Sequence, residues 1–169
     1  MGRRSGVLLG LRISLVVLIV GTVIFIFTNS SLPPDESAEQ SGAVGNFISQ
    51  IIPPDTDLGS YIQTNLRKIA HFTEYGMLGI EFAVYFLAFD RRRRHILCSA
   101  AVPFAVGFVD ETIQIFSGRG PSISDVWIDV GGFFTFSLLA YAVGVCALVA
   151  VRACFRAWRS SKANGSSFE

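Results

Sequence analysis

Charge is scarce in this chain and nearly cancels: 16% of its 169 residues are Asp, Glu, Lys or Arg, for a formal net charge of +1. A basic surface interleaved with aromatics, the footprint of nucleic-acid binding, is missing. Cysteine is also sparse. Cys98, Cys146 and Cys154 are odd in number, show no paired spacing and fall in or beside apolar runs. That excludes a disulfide framework or a metal knuckle and leaves them as packing residues. No internal repeat and no nucleophile-bearing motif is visible, and Ser117, Ser122 and Ser124 read as turn and cap residues. What is abundant is apolar surface, 51% of the residues with 15 Phe, far from the make-up of a soluble domain.

The apolar residues gather in four runs. The first is Ile13 to Thr28, extendable back to Val7 around Arg12. It just reaches the ~20 helical residues that a bilayer core requires. Arg3 and Arg4 ahead of it raise the alternative of a signal peptide, but the run is long and aromatic for one, and Thr28-Asn29-Ser30 is a poor cleavage site. It reads as a retained anchor. The others are Ile69 to Phe89, Ile96 to Phe116 and Val126 to Val151. The expected fold is all-α integral membrane, with four transmembrane helices over about 7–28, 69–89, 96–116 and 126–151.

Basic residues orient the spans. Arg3, Arg4 and Arg12 precede the first, Arg91 to Arg94 fill the turn between the second and third, and Arg152, Arg156, Arg159 and Lys162 follow the fourth. All but three of the 14 Lys and Arg thus lie on one side, so both termini are expected in the cytoplasm. The outer loop, residues 29–66, is polar and acidic, punctuated by Pro33-Pro34 and Pro53-Pro54. Within it Val44, Phe47, Ile48, Ile51 and Ile52 repeat with helical period, which predicts a short amphipathic helix on the outer surface or over the bundle. Residues 163–169 read as a disordered tail.

The three remaining cations, Arg67, Lys68 and Arg119, fall at the outer ends of the spans. With them come His71, Glu74, Asp110, Glu111, Asp125 and Asp129. Ionisable groups at membrane depth are costly, and usually face a bundle interior or a wet cavity. On a helical wheel Arg67, Lys68, His71, Glu74, Tyr75 and Glu81 fall within roughly 140°. Glu81 lies two turns below Glu74, where it is either neutral or meets a partner from another span. Asp110, Glu111 and Gln114 follow a kink expected at Pro103. Asp125, Asp129 and Gly132 share a stripe, with Gly131-Gly132 open to close helix approach. Ser124 is the expected N-cap of the last span. Five carboxylates so close together cannot all stay ionised cheaply, so at least one is expected to be protonated or matched by a bound cation. An ion-pair network fixing helix register is the plain alternative to a site. No cofactor is expected, and no metal: one relevant His and no Cys on that side make a poor zinc ligand set.

These residues also carry a resemblance. RKIAHFTEYGMLG and DETIQIFSGRGPSISDVWIDVGG resemble the two signature blocks of the VanZ-like membrane proteins. The matching positions are Arg67, Lys68, His71, Glu74, Tyr75, Asp110, Glu111, Gln114, Arg119, Asp125, Asp129 and Gly132. A weaker third block follows the first span, with Ser37 and Ser41 at the family's Ser positions. Phe136 stands where many members carry a second Gly, and Glu81 is outside the pattern. The resemblance implies one membrane domain over residues 1–162 in a bacterial cell membrane, and its named member is associated with teicoplanin-type resistance. Three functions compete. In one, a pocket at the outer leaflet binds an envelope lipid, a peptidoglycan precursor or a lipid-tailed glycopeptide, with Arg67, Lys68 and Arg119 on its phosphate or carboxylate. In the second, His71 with Glu74 or Asp110 supplies acid–base chemistry on a lipid head group. In the third, Glu81, Glu74 and the other acids relay protons or cations.

Overall fold

A computed structural model describes residues 2–89 and 93–165, and every regular element among them is helical. The order is α1 (Gly2–Ser31), α2 (Pro34–Ser49), α3 (Asp57–Ala88), α4 (Arg93–Ser99), α5 (Val102–Phe116) and α6 (Ile123–Gly165). By length and composition α1, over Gly6–Ser31, and α6, over Ile123–Arg159, can cross a membrane. Leu18, Ile24 and Phe25 on α1, and Leu138, Leu139 and Val143 on α6, stay more than half exposed. Water would penalise such a surface, and lipid would not.

Helix α3 forms the axis, packing most extensively on α6, with α1 and α5 completing the bundle. The α3–α6 crossing is set by glycine. A Cβ on Gly132 would run into the carbonyl of Phe72, and a Cβ on Gly79 into that of Phe133, so the two backbones touch. One turn away Phe136 lies on Gly76, its ring 5.8 Å from that of Phe72. The missing second glycine on α6 is thus matched by a glycine on α3. Ile26, Tyr75, Leu78, Val106 and Phe133 make the buried apolar centre.

Several boundaries depart from the sequence reading. Helix α3 begins at Asp57, well before Ile69, because the Thr56 hydroxyl accepts from the Gly59 N–H at 3.0 Å and caps it. A kink at Asn65 separates this outer extension from the rest of the helix. The expected kink at Pro103 is a full break between α4 and α5, with Pro103 in the first turn of α5, where its missing N–H costs nothing. Helix α6 starts at Ile123, which leaves Ser124 inside the first turn and Ser122 at the position before the helix. It continues past Val151 to Gly165, so residues 163–165 of the expected disordered tail are helical, and 166–169 lie outside the described residues. So do 90–92, part of the arginine turn. Helix α2 takes the place of the amphipathic segment. Gln63 ties it to α3 through the Gly45 carbonyl at 2.9 Å and the Ser49 hydroxyl at 2.8 Å, leaving Val44, Phe47 and Ile51 exposed.

Candidate functional site

The floor of the site is built by α3, α5 and α6. His71 points its Nδ1 between two carboxylates, 3.5 Å from Asp110 Oδ2 and 3.5 Å from Asp129 Oδ1. Both separations exceed a hydrogen bond. Asp110, Asp129 and Tyr75 have no exposed surface. Asp110 Oδ1, both oxygens of Asp129 and the Tyr75 hydroxyl make no hydrogen bond of ordinary geometry; Ser30 faces Asp110, and Tyr75 and His71 face Asp129, as longer contacts. Gly107 of α5 lies alongside them: a Cβ there would make ordinary contact, 3.7 Å from Asp129 Oδ2 and 3.8 Å from the Tyr75 hydroxyl.

Gln114 knits the cations to the acids. Its carbonyl oxygen accepts from an Arg67 guanidinium nitrogen, and its amide donates to Asp110 and Glu111 at 3.2 Å each. Glu111 in turn accepts the backbone N–H of Ser122 at 2.7 Å, which pins the start of α6 to α5. The turn between these helices closes α5 with a Schellman motif: Arg119 N–H bonds to the Gln114 carbonyl at 2.9 Å and Gly118 N–H to that of Ile115 at 3.3 Å. Gly118 supplies the required left-handed conformation, at φ 78°. The turn sends Arg119 inward, where it is 8% exposed and its Nη2 has no partner. Burial, and then the nearby Arg67 guanidinium, push the Arg119 pKa below the usual arginine value, with Asp110 opposing.

Above the floor the walls form two clefts. One, of about 60 Å³, is lined by Asn29, Ser37, Ser41, Arg67, Glu74 and Arg119, with His71 at its base. An adjoining hollow of about 150 Å³ is shared by Ser37, Ser41, Arg67 and Arg119 with Pro34 and Ala38. The other cleft, of about 220 Å³, lies on the far side of His71, between Lys68, Asp125 and Asn65. The three segments singled out along the chain therefore meet: Ser37 and Ser41 face the two arginines, and His71 opens to both clefts.

Glu81 stands apart. Its Oε1 accepts the Thr22 hydroxyl of α1 at 2.7 Å, so its partner from another helix is a hydroxyl and not a charge. Sequence reasoning missed α1's contribution. Asn29 donates to Glu74 at 2.8 Å, and Ser30 is buried, its carbonyl taking the Ser117 hydroxyl at 3.0 Å. The signal was present in the polar Asn29-Ser30 end of an otherwise apolar run. The sequence gathers His71, Asp110 and Asp129 in one cluster without singling them out as a triad, whose ligand-type atoms all lie within 4.8 Å of one another.

The family model described as VanZ/LLP1 matches residues 15–163, nearly the whole chain and every residue of the site. No curated protein and no solved structure matches the chain.

Proposed function

We propose that this chain, which belongs to the VanZ/LLP1 family, is a multi-pass envelope membrane protein that holds the anionic head group of a lipid-anchored ligand at the outer leaflet. In this reading α1, α3, α4 with α5, and α6 are the four spans, and both termini are cytoplasmic. The site then opens outward beneath α2, whose exposed Val44 and Phe47, with Ile51 in the turn that follows, rest on the membrane surface. A peptidoglycan precursor, an envelope phospholipid and a lipid-tailed glycopeptide share the required chemistry, a phosphate or carboxylate beside an apolar tail.

The observation that carries this reading is the buried Arg119, whose Nη2 is unpartnered beside a second guanidinium and two serines. None of Arg67, Lys68 and Arg119 forms an ion pair with a carboxylate. A buried cation without its counter-charge is costly, and a bidentate oxyanion relieves it. Native mass spectrometry of the protein in micelles, with an anionic phospholipid against a zwitterionic one, tests the reading. Arg119→Ala should weaken anionic-lipid binding by roughly 10–100-fold, the weight of one charge-assisted hydrogen bond of about 1.5–3 kcal/mol. Arg119→Lys should fall between, keeping charge but losing the fork. Wild-type affinity in Arg119→Ala would exclude the reading.

Acid–base chemistry on the bound group is the second reading. It is favoured by His71 lying between two carboxylates at the base of the same cleft. A carrier function has less support, because Glu81 pairs with Thr22 and not with the acids above it.

A further inference from the structure

We infer that His71, Asp110 and Asp129 form a binding site for one divalent first-row transition-metal ion, of the manganese or zinc kind. The sequence alone argues against zinc, since a single histidine without cysteine is a poor zinc set, though its crowded carboxylates call for a proton or a cation. The fold changes the count by bringing one imidazole nitrogen and two carboxylate oxygens together from α3, α5 and α6. Their spacing is that of ligands around an ion. Atoms about 2.1 Å from a tetrahedral metal stand about 3.4 Å apart, and His71 Nδ1 lies 3.5 Å from each aspartate. The third separation, between one oxygen of each aspartate, is within 4.8 Å.

A second observation points to an ion independently. Asp129 is wholly buried, yet neither of its oxygens has a hydrogen bond of ordinary geometry; only the His71 imidazole and the Tyr75 hydroxyl face it, as longer contacts. A protonated His71 does not resolve this, because its single Nδ1–H can serve only one of the two aspartates. A divalent cation among two carboxylates and a neutral imidazole is charge-balanced, and it satisfies all three at once. Three protein ligands leave a coordination position free, as in open metal sites. Both clefts reach His71, so the ion has a route in. One imidazole with two carboxylates suits Mn²⁺ or Zn²⁺ better than a soft, thiolate-seeking metal. This inference concerns the floor of the site and holds whether or not an anion binds to the arginines above.

The test uses full-length protein in detergent, with any histidine tag removed, stripped by EDTA and titrated with Mn²⁺ alone. Electron paramagnetic resonance should show one saturable ion per chain, displaced by Zn²⁺, and pulsed measurement should show coupling to one ¹⁴N. Asp129→Asn should weaken binding beyond the ~100-fold typical of losing a supporting residue. Should that variant fail to fold, the nitrogen coupling in the unsubstituted protein decides alone. Absence of a saturable site, absence of ¹⁴N coupling, or unchanged binding in a folded Asp129→Asn would overturn the inference. None of these outcomes bears on anionic-lipid binding at Arg119.

Discussion

Replacing Gly132 by alanine should pry α6 off α3 at the level of the site, whereas the same change at Gly131 should not. A Cβ on Gly132 would overlap the Phe72 carbonyl oxygen, and would sit 3.0 Å from its carbon and 3.1 Å from the Cα. Restoring ordinary contact requires the helices to part by on the order of 1 Å, in a core packed to crystal-like density. Overpacking costs about 1–3 kcal/mol, and a clash with backbone belongs at the upper end, about 3 kcal/mol; alanine's better helix propensity returns about 1 kcal/mol, for a net loss of about 2 kcal/mol. At Gly131 the nearest atom is a ring carbon of Phe72 at 3.9 Å, so only the propensity gain applies. Adjacent glycines therefore respond with opposite sign. Reversible unfolding of the purified protein in mixed micelles, followed by circular dichroism, reads both values. Shifts of the same sign would refute backbone contact at Gly132. Asp129 lies one turn before Gly132 and His71 adjoins Phe72, so Gly132→Ala should also stretch the 3.5 Å His71–Asp129 separation. Site binding should weaken more in this variant than in Gly131→Ala.

Two other expectations concern Glu81 and the topology. Glu81→Gln keeps an acceptor for Thr22, so it should leave anionic-lipid binding unchanged, while Thr22→Val strips the donor and should cost about 1–3 kcal/mol in the same unfolding assay. A binding defect in Glu81→Gln would join Glu81 to the site after all. A variant retaining Cys154 as its sole cysteine should react with a membrane-impermeant maleimide only after the cells are permeabilised. A cysteine-free background carrying Ser60→Cys, at the exposed start of α3, should react in intact cells; the reverse pattern would invert the topology.

The residues that would make the site are legible along the chain, but their partners are not. Helical spacing puts His71, Glu74 and Tyr75 on one face of α3, and they do face inward. The same wheel admits Glu81, because an angle around a helix says nothing of depth along it, and Glu81 meets Thr22 instead of the acids. Gly132 is readable as a point of close approach, yet its complement, Gly79, is recognisable only once the register of α3 against α6 is known. Helix ends were harder. Pro103 signals an interruption without showing whether the chain bends or breaks, and a hydropathy boundary at Val151 marks a change of solvent, not of conformation. The helix continues because nothing in Arg152 to Gly165 stops it: no proline falls there. Asn29 and Ser30 read as the end of a span, and only the packing of α1 on α3 and α5 turns them into partners of Glu74 and Ser117.

A network that only fixed helix register would be expected to satisfy its own members, since a half-satisfied polar core is worse than an apolar one. The Gln114 links meet that standard, and so does the Glu111–Ser122 bond. The groups below and beside them do not. His71 Nδ1, the Tyr75 hydroxyl, Asp110 Oδ1, both oxygens of Asp129, Ser30 Oγ and Arg119 Nη2 are all buried without a hydrogen bond of ordinary geometry. They divide by sign: the acids gather around His71 on the floor, and the unpaired guanidinium sits at the wall with Arg67. Left to themselves, side chains of opposite charge this near would pair, and the structure keeps them apart. Gln114 stands between, donating to Asp110 and accepting from Arg67, so it separates the two charges while holding both in place. That arrangement suits the proposed cation on the floor and anion against the wall, while the α3–α6 register is already set by the Gly79 and Gly132 contacts.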